Sequence, residues 1–432
     1  MKRILANGLM SSVILIAILF GCEFEGPQGN NHPPVITSLP NTSAFAAELY
    51  TYVVKARDAD GDVLTYSLKA HPEGMTINSA TGKISWLPTL RQVGNHLIEV
   101  IVTDGSAGNS QAFAIRVSPL DNGVPFQRGF TLVSWWHDSY LQPQTAESLR
   151  QMKMDGCEWV SILVTWYQDD IHATAMYPSD QSTPTDEAII QAINTAHSLG
   201  MNVVLKPHID PITGDWRGYI SFTDEADWSA WFDNYNQFLG HYLDLAQAHN
   251  VQAVIIGTEL MSTEPRQADW RNTIALARAR FDGLLTYDAN HSSYLLVSWW
   301  DALDFIGISA YFPLTHGYSP TIDELKSAWA EKIPFLRLLA AIYNKDIVFT
   351  EIGYVSRDGT NITPYAYDLT TPADLQEQAD CYQAALESLY AEPWFKGMYW
   401  WAWSWDPSTD DNGYDIYNKP AETMLRQWYA GY

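Results

Sequence analysis

The chain has 432 residues, of which 47% are apolar and 17% charged, so it is long enough for two or three domains and is neither disordered nor a coiled coil. Its net charge of −25, from 25 basic and 50 acidic residues, would repel nucleic acid and anionic lipid, and we expect no nucleic-acid partner. The 18 Trp, 24 Tyr and 15 Phe suit a neutral partner with flat apolar faces, such as a sugar ring.

The N-terminus has the pattern of an export signal. Lys2 and Arg3 precede an apolar run over 13–20, which is too short to span a bilayer but is typical of a secretory signal peptide. The run ends in Leu-Phe-Gly-Cys, which resembles a bacterial lipobox. That resemblance implies removal of residues 1–21, diacylation of Cys22 and anchoring to the outer face of a membrane, at the bacterial cell surface, outer membrane or periplasm. The alternative is an ordinary signal peptide with a chance cysteine.

A small β domain follows a tether. Residues 22–32 are rich in Gly, Pro and Asn and predict a flexible linker. Over 33–120, short alternating runs separated by turn signals predict a β-sandwich. The five predicted strands are 50–56, 63–68, 83–87, 96–104 and 111–117. The strings DADGDVLTYSL, PEGMTI, TGKISWLPT and VTDG resemble the cadherin-like and immunoglobulin-like modules of bacterial surface proteins.

Two questions about this domain stay open from the sequence. Asp58, Asp60 and Asp62 could ligate calcium, since hard cations take clustered carboxylates. The same residues are equally good chemistry for a turn between two strands. The domain itself is predicted to be a spacer, with glycan binding as the alternative.

From residue 130 onward, apolar runs alternate with amphipathic helical stretches, which is the pattern of βα units on a parallel sheet. Eight such strands predict a (β/α)₈ barrel over 125–432. A doubly wound sheet is disfavoured, because no Gly-rich phosphate turn follows the first strand. In the fifth unit only the loop-like segment 292–304 follows the strand. The predicted strands are 129–135, 159–166, 202–208, 251–259, 284–290, 305–312, 346–351 and 397–403, and the predicted helices are 144–154, 185–199, 226–249, 267–281, 321–343, 373–391 and 419–429.

Two of these strands end in a carboxylic acid. Glu259 ends the fourth strand and Glu351 ends the seventh, and the carboxyl ends of barrel strands carry catalytic groups. Desolvation and a neighbouring carboxylate push two pKa values apart, so one group stays protonated while the other stays ionised. A glycosidase requires such a pair. The alternative is a structural role, in which each Glu forms an ion pair with an Arg or Lys at the end of its strand.

The positions of the two acids resemble clan-A retaining glycoside hydrolases, which carry them on strands four and seven. The chain also resembles glycoside hydrolase family 113, whose characterised members are β-1,4-mannanases. This likeness implies that Glu259 is the acid/base and Glu351 the nucleophile. Thr258 stands where most clan members carry Asn, which bears on how the sugar 2-hydroxyl is held. The strings that carry the likeness are LVTWYQ, AHSLGMNVVLKPHID, DWRGYI, VIIGTEL, LTYDAN, WWDALDFIGISAYFPL, FTEIGY and GMYWWAW.

Further side chains at strand ends are candidates for substrate binding. Tyr311 could donate a hydrogen bond to the nucleophile. Strand alternation places Trp401 and Trp403 on one face, where they could floor the reactive subsite, and Trp400 on the other. Trp299 could instead belong to the irregular fifth loop. The remaining candidates, each of which could equally be a packing residue, are Lys206, His208, Trp216, Arg217, Trp135, Trp166, Trp299 and Asn290. Among them, His208 and Asn290, together with Thr258, are candidates for reading the axial 2-hydroxyl of mannose.

Competing chemistries lack their motifs. The sequence has no HExxH, no paired Cys-x-x-Cys, no GxSxG elbow and no Walker loop, so we expect neither a catalytic metal nor a cofactor. The prediction is a monomeric retaining β-mannanase without cofactor. Two alternatives remain: a same-fold enzyme acting on another β-linked glycan such as glucan, and a non-catalytic glycan-binding surface lipoprotein.

Overall fold

The computed structural model describes residues 31–46, 49–89, 92–118, 123–368, 370–407 and 412–431. The chain forms two compact units that divide between Leu120 and Asp121. Cys22, the predicted signal peptide and nearly all of the predicted tether lie outside the described residues. Among the helices in the described part of the chain, none is long and apolar enough to cross a bilayer.

The first unit is the predicted immunoglobulin-like β domain. Its strands are Val35–Ile36 (β1), Ser43–Phe45 (β2), Tyr50–Val53 (β3), Ala56–Arg57 (β4), Thr65–Ala70 (β5), Thr76–Ile77 (β6), Lys83–Trp86 (β7), Gly94–Thr103 (β8) and Gly108–Ser118 (β9). The predicted strands are present, except that the one predicted over 50–56 is divided into β3 and β4, and short strands are added. The sheets have the strand orders β2-β9-β8-β5, β3-β7-β6 and β1-β4, and one apolar core joins side chains of the first two, among them Ile84, Trp86, Ile98 and Val100.

The Asp58 segment forms the predicted turn. Asp58 Oδ1 accepts hydrogen bonds from the backbone N–H groups of Asp60 (2.9 Å) and Asp62 (3.2 Å), which is the local bonding that makes Asp favourable in turns. One carboxylate oxygen of each of the three Asp residues lies within 4.8 Å of the others. Calcium binding here stays an open alternative to a turn without a bound cation.

The second unit is the predicted parallel barrel. Its strands are Gln127–Val133 (β10), Trp159–Gln168 (β11), Asn202–Pro211 (β12), Ala253–Thr258 (β13), Leu284–Asn290 (β14), Ile306–Ser309 (β15), Ile347–Ile352 (β16) and Phe395–Ser404 (β17). These strands pair in chain order, and β17 closes the barrel by pairing with β10. The helices are Pro143–Met154 (α1), Asp186–Ser198 (α2), Glu225–Ala248 (α3), Gln267–Arg278 (α4), Ile322–Tyr343 (α5), Leu375–Leu389 (α6) and Pro420–Ala430 (α7).

The irregular fifth unit is also as predicted. Between β14 and β15, a connection whose residues are all described, a 3₁₀ turn at Trp300–Ala302 replaces the α-helix. Trp299 and Trp300 are fully buried there. Two large aromatic side chains thus supply apolar surface at a position where other units use a helix.

Apolar side chains of several barrel strands pack together in the barrel interior. Trp159, Val204, Ile255, Val348 and Tyr399 belong to one buried apolar cluster, as expected for an eight-stranded barrel whose interior is just wide enough for side chains. The register shifts in the pairs that β17 makes with β10 and with β16. Such bulges change the direction of side chains, so alternation counted along the sequence fails near the barrel mouth.

Candidate active site

The carboxyl ends of the barrel strands surround a cavity of about 840 Å³, within the usual size range of ligand sites. Both predicted carboxylic acids lie in it. The lining residues are Trp135, His208, Trp216, Arg217, Tyr219, Glu259, Asn290, His291, Ser292, Tyr311, Glu351, Tyr365, Tyr367, Trp401 and Tyr414.

Glu351, in β16, is held on both oxygens. Lys206 Nζ donates to Oε1 at 2.5 Å, and the Tyr311 hydroxyl donates to Oε2 at 3.0 Å. Only 6% of the Glu351 side chain is exposed. Two donors fix the orientation of this carboxyl group and favour its ionised form. The hydrogen bond predicted for Tyr311 is present.

Lys206, in β12, lies beneath the cavity and not in its lining. Besides Glu351, its ammonium donates to Asp288 Oδ2 (2.7 Å) and to the Thr350 carbonyl (3.1 Å), and the Lys206 side chain is fully buried. An ammonium has three N–H donors, and protein acceptors take all three. While these three contacts persist, Lys206 has no N–H left to donate to the sugar hydroxyls that it was predicted to bind.

One ammonium thus serves two buried carboxylates. Burial raises the pKa of Glu351 to about 7; Lys206 opposes that shift, whereas Asp288 and Glu259 reinforce it. Burial likewise raises the pKa of Asp288 against the opposing charge of Lys206. Asp288 is further tied down through Oδ1, which accepts from the Thr350 hydroxyl at 2.6 Å.

Glu259 follows directly after β13, near the mouth. Asn290 Nδ2 donates to its Oε1 at 2.7 Å, and Trp216 Nε1 donates to its Oε2 at 3.2 Å. The Glu259 backbone is left-handed, with φ 51°, a conformation that costs a non-glycine residue about 1–3 kcal/mol and that recurs at active sites. Asn290 and Trp216, predicted to bind sugar, line the cavity and orient this carboxyl group.

Three further predicted residues, His208, Trp135 and Trp401, line the same cavity. The Trp401 ring stacks on the His208 imidazole, with ring centroids 6.3 Å apart and planes 2° from parallel. Trp135 meets Trp401 edge-on at 6.3 Å and is 48% exposed. An exposed Trp beside a half-buried Trp offers the flat apolar faces on which sugar rings stack. Arg217 lines the cavity too, and contacts His208.

Trp166 and Trp299 do not line this cavity, so their prediction as substrate-binding residues is corrected. Trp166 has the parity opposite to that of Trp159, which faces the barrel interior, and its Nε1 donates to the Tyr242 hydroxyl in α3 at 2.7 Å. Trp299 stacks on Trp270 of α4, with centroids 5.0 Å apart. It therefore belongs to the irregular fifth connection, the alternative left open from the sequence.

Trp403 is the third corrected residue. It is fully buried, and its ring meets Phe130 edge-on at 5.1 Å. In the pairing of β10 with β17, Phe130 lies opposite Trp400 and Leu132 lies opposite Trp403. Two residues along β10 therefore correspond to three residues along β17. The extra residue in β17 breaks the alternation that would have placed Trp401 and Trp403 on one face.

Asp288 was not predicted from the sequence, although a signal existed. It precedes Asn290 by two residues on one strand, so both side chains share a face, and an acid within a buried run requires a partner. The cavity residues that were not predicted come from loops, from a 3₁₀ turn or from beyond strand ends, where no periodic pattern applies. They are Tyr219, His291, Ser292, Tyr365, Tyr367 and Tyr414.

A closed eight-stranded parallel barrel with two carboxylic acids in the cavity at its carboxyl end has the architecture of a barrel glycoside hydrolase. Residues 130–419 match the model of glycoside hydrolase family 113, and residues 33–118 match that of a putative Ig domain. The chain belongs to glycoside hydrolase family 113.

Solved structures support this assignment. The β-mannanase AaManA from Alicyclobacillus acidocaldarius, solved in complex with ManMIm, is 32% identical with a TM-score of 0.67, over 72% of this chain and 99% of that one. Two further structures of family 113 β-1,4-mannanases are 29% and 30% identical, each with a TM-score of 0.66 over 71% of this chain and all of theirs. Comparison with curated protein sequences gave no match.

Replacing Lys206 with Met should destabilise the barrel, and more so at higher pH. Removing one partner from a buried ionic cluster costs about 3–5 kcal/mol. Without the ammonium, the folded-state pKa values of Glu351 and Asp288 rise further above those of the unfolded chain. The folded state then binds more protons, so the free energy of unfolding falls as pH rises. Urea unfolding at pH 5 and pH 8 measures this.

The matched control is the double variant Lys206→Met/Asp288→Asn, which removes one of the two uncompensated charges. It should recover part of the stability lost at pH 8. A Lys206→Met variant equally destabilised at both pH values would show that packing, and not charge, accounts for the loss.

Proposed function

We propose that the protein is a retaining glycoside hydrolase that cleaves β-1,4-mannosidic linkages by double displacement. The observation that carries the proposal is the unequal setting of the two acids. Glu351 is buried with both oxygens held by Lys206 and Tyr311, as suits an attacking carboxylate. Glu259 is only partly buried, as suits a group that exchanges protons with a leaving group and with water.

In the first step the Glu351 carboxylate attacks the anomeric carbon. The bond between that carbon and the glycosidic oxygen breaks, and the Glu259 proton passes to the departing oxygen. The product is a glycosyl ester of Glu351. Lys206 and Tyr311 hold the carboxylate in place for the attack, since each donates to a different oxygen.

In the second step Glu259, now ionised, takes a proton from water as the water oxygen bonds to the anomeric carbon. The ester bond breaks and Glu351 leaves as a carboxylate. The Lys206 ammonium stabilises the charge that returns to Oε1, which gives the buried lysine a part in both steps.

Mannan as the substrate rests on family membership and on what the similar structures are said to be, namely β-1,4-mannanases. The cavity contributes aromatic faces, and the net charge of −25 suits a neutral polymer. Both features would also suit glucan. Another β-linked glycan is therefore the second candidate.

The substrate class is tested by comparing kcat/KM on mannohexaose and cellohexaose. The mannose oligomer should be preferred, because polar groups fixed near the reactive subsite can discriminate strongly between hydroxyl orientations. Proton NMR of the first-formed product should show retained β configuration. Preference for the glucose oligomer would overturn the substrate, and inverted product would overturn the double displacement.

The two roles are separated by substitution. Glu351→Ala should abolish turnover of every substrate, because no ester can form. Glu259→Ala should lower kcat/KM on oligosaccharide by about 10²–10⁴-fold and spare the first step for aryl glycosides whose leaving group needs no proton. Azide should then restore turnover of the aryl substrate.

The control for these variants is Glu225→Ala, which removes an acid whose side chain is 79% exposed and outside the cavity lining. Its activity should equal that of the wild type. If Glu259→Ala lost activated and natural substrates equally and azide had no effect, the acid/base role would belong elsewhere.

The pH profile tests Glu351 directly. Only its ionised form can attack, and burial raises its pKa to about 7. Since a raised pKa means that the carboxylate dominates only above that pH, kcat/KM should fall about tenfold per pH unit on the acid side of 7. If kcat/KM instead fell as the pH rose above 7, the protonated form of Glu351 would be the active one and Glu351 would be the proton donor.

We also propose that the protein is an exported lipoprotein anchored through Cys22, on the strength of the Leu-Phe-Gly-Cys tetrapeptide that ends the apolar run. In a bacterial host fed labelled palmitate, the wild type should carry label and sediment with membranes. Cys22→Ser should do neither. An unlabelled wild type would leave an ordinary signal peptide as the explanation.

A further inference from the structure

Two histidines, His208 and His291, line the cavity, and the two ring nitrogens of His208 have very different surroundings. His208 Nδ1 lies 2.7 Å from Arg217 Nη1. His208 Nε2 is buried and has no partner among the described residues, although the imidazole lines the cavity. A buried polar atom without a partner, facing a cavity, calls for a ligand atom.

The Arg217 contact determines where the imidazole proton sits. A guanidinium can only donate hydrogen bonds, so Nδ1 must be the acceptor and carries no hydrogen. A neutral imidazole then has its hydrogen on Nε2. The doubly protonated ring is excluded as long as this contact persists.

Arg217 is itself held in place. It lies in the 3₁₀ turn after β12, and its Nε and Nη2 contact Asp210 Oδ1 at 2.8 and 2.7 Å. Asp210 and His208 are two residues apart on β12, so they share a face of the strand. The guanidinium therefore bridges a carboxylate anchor and the imidazole it orients.

The charges around the ring act in the same direction. Burial and the cations Arg217 and Lys206 lower the pKa of His208 well below its usual range. The opposing acid is Glu351, whose Oε1 lies 3.9 Å from Nε2, beyond hydrogen-bond distance. Trp401, stacked on the other face of the ring, carries no charge.

We propose that Arg217 is a positioning residue that fixes His208 as the neutral tautomer protonated on Nε2, and that this Nε2–H donates a hydrogen bond to a hydroxyl oxygen of the sugar ring beside Glu351. The second clause rests on the proposed glycosidase function. His208 thereby becomes a donor of fixed direction, which accepts no hydrogen bond from the substrate and keeps this property as the pH changes.

The tautomer is tested by NMR on protein labelled with ¹⁵N at histidine, without any substrate. His208→Gln assigns the signals of His208 among the 11 histidines. In the wild type, His208 should remain neutral and protonated on Nε2 from pH 5 to pH 8. An imidazolium at pH 6, or hydrogen on Nδ1, would overturn the first clause.

The role of Arg217 is tested by Arg217→Met in the same experiment. Without the donor at Nδ1, His208 should become a mixture of tautomers and take up a proton as the pH falls towards 5. Arg271→Met, which removes a partly exposed arginine paired with Asp301, is the matched control and should leave His208 unchanged. An unchanged His208 signal in a folded Arg217→Met protein would refute the positioning role.

The donor role is tested by comparing His208→Gln, which retains an N–H donor, with His208→Leu. On oligosaccharide, kcat/KM should fall about tenfold more for the leucine variant, the size of a lost hydrogen bond. Equal loss in both would refute the donor role. Absence of activity in the wild type would refute the glycosidase function, whereas the tautomer result would still stand.

Discussion

A single buried ammonium holds together the inner wall of the active site. Lys206 is the cation between Asp288 and Glu351, and both acids are buried. Two adjacent carboxylates in such an interior would repel each other and would take up protons. The lysine allows at least one of them to remain ionised, and in the proposed mechanism that one is the nucleophile. Chemistry at Glu351 and stability of the barrel therefore depend on the same three charges.

Sharing one ammonium between two acids leaves the pKa of Glu351 raised. The ammonium is shared, so it offsets only part of the desolvation of Glu351, whose pKa stays raised at about 7. This raised pKa belongs to the buried acid that the family resemblance makes the nucleophile. A carboxylate with a raised pKa is a stronger base when ionised. A smaller fraction of the molecules is then ionised at a given pH, but each ionised carboxylate is more reactive.

The rest of the cavity is organised by side chains that act through other side chains. Asn290 and Trp216 hold Glu259, and Arg217 holds His208. Each fixes the direction of a polar group before any substrate arrives. Positioning of this kind reduces the reorganisation needed during reaction. Residues predicted from the sequence to bind sugar therefore have protein partners as well.

The two units, the eight barrel strands and the placement of Glu259 and Glu351 at one edge could be predicted from the sequence, because strand ends of a parallel barrel converge whatever the details of packing. The partners of each side chain at that edge became known only from the folded chain. Lys206 meets partners 82 and 145 residues away, and no local pattern encodes such a pairing. Trp403 turns away from the cavity because a bulge in β17 shifts its register. Periodicity describes one strand at a time, whereas charge neutralisation and bulges arise between strands.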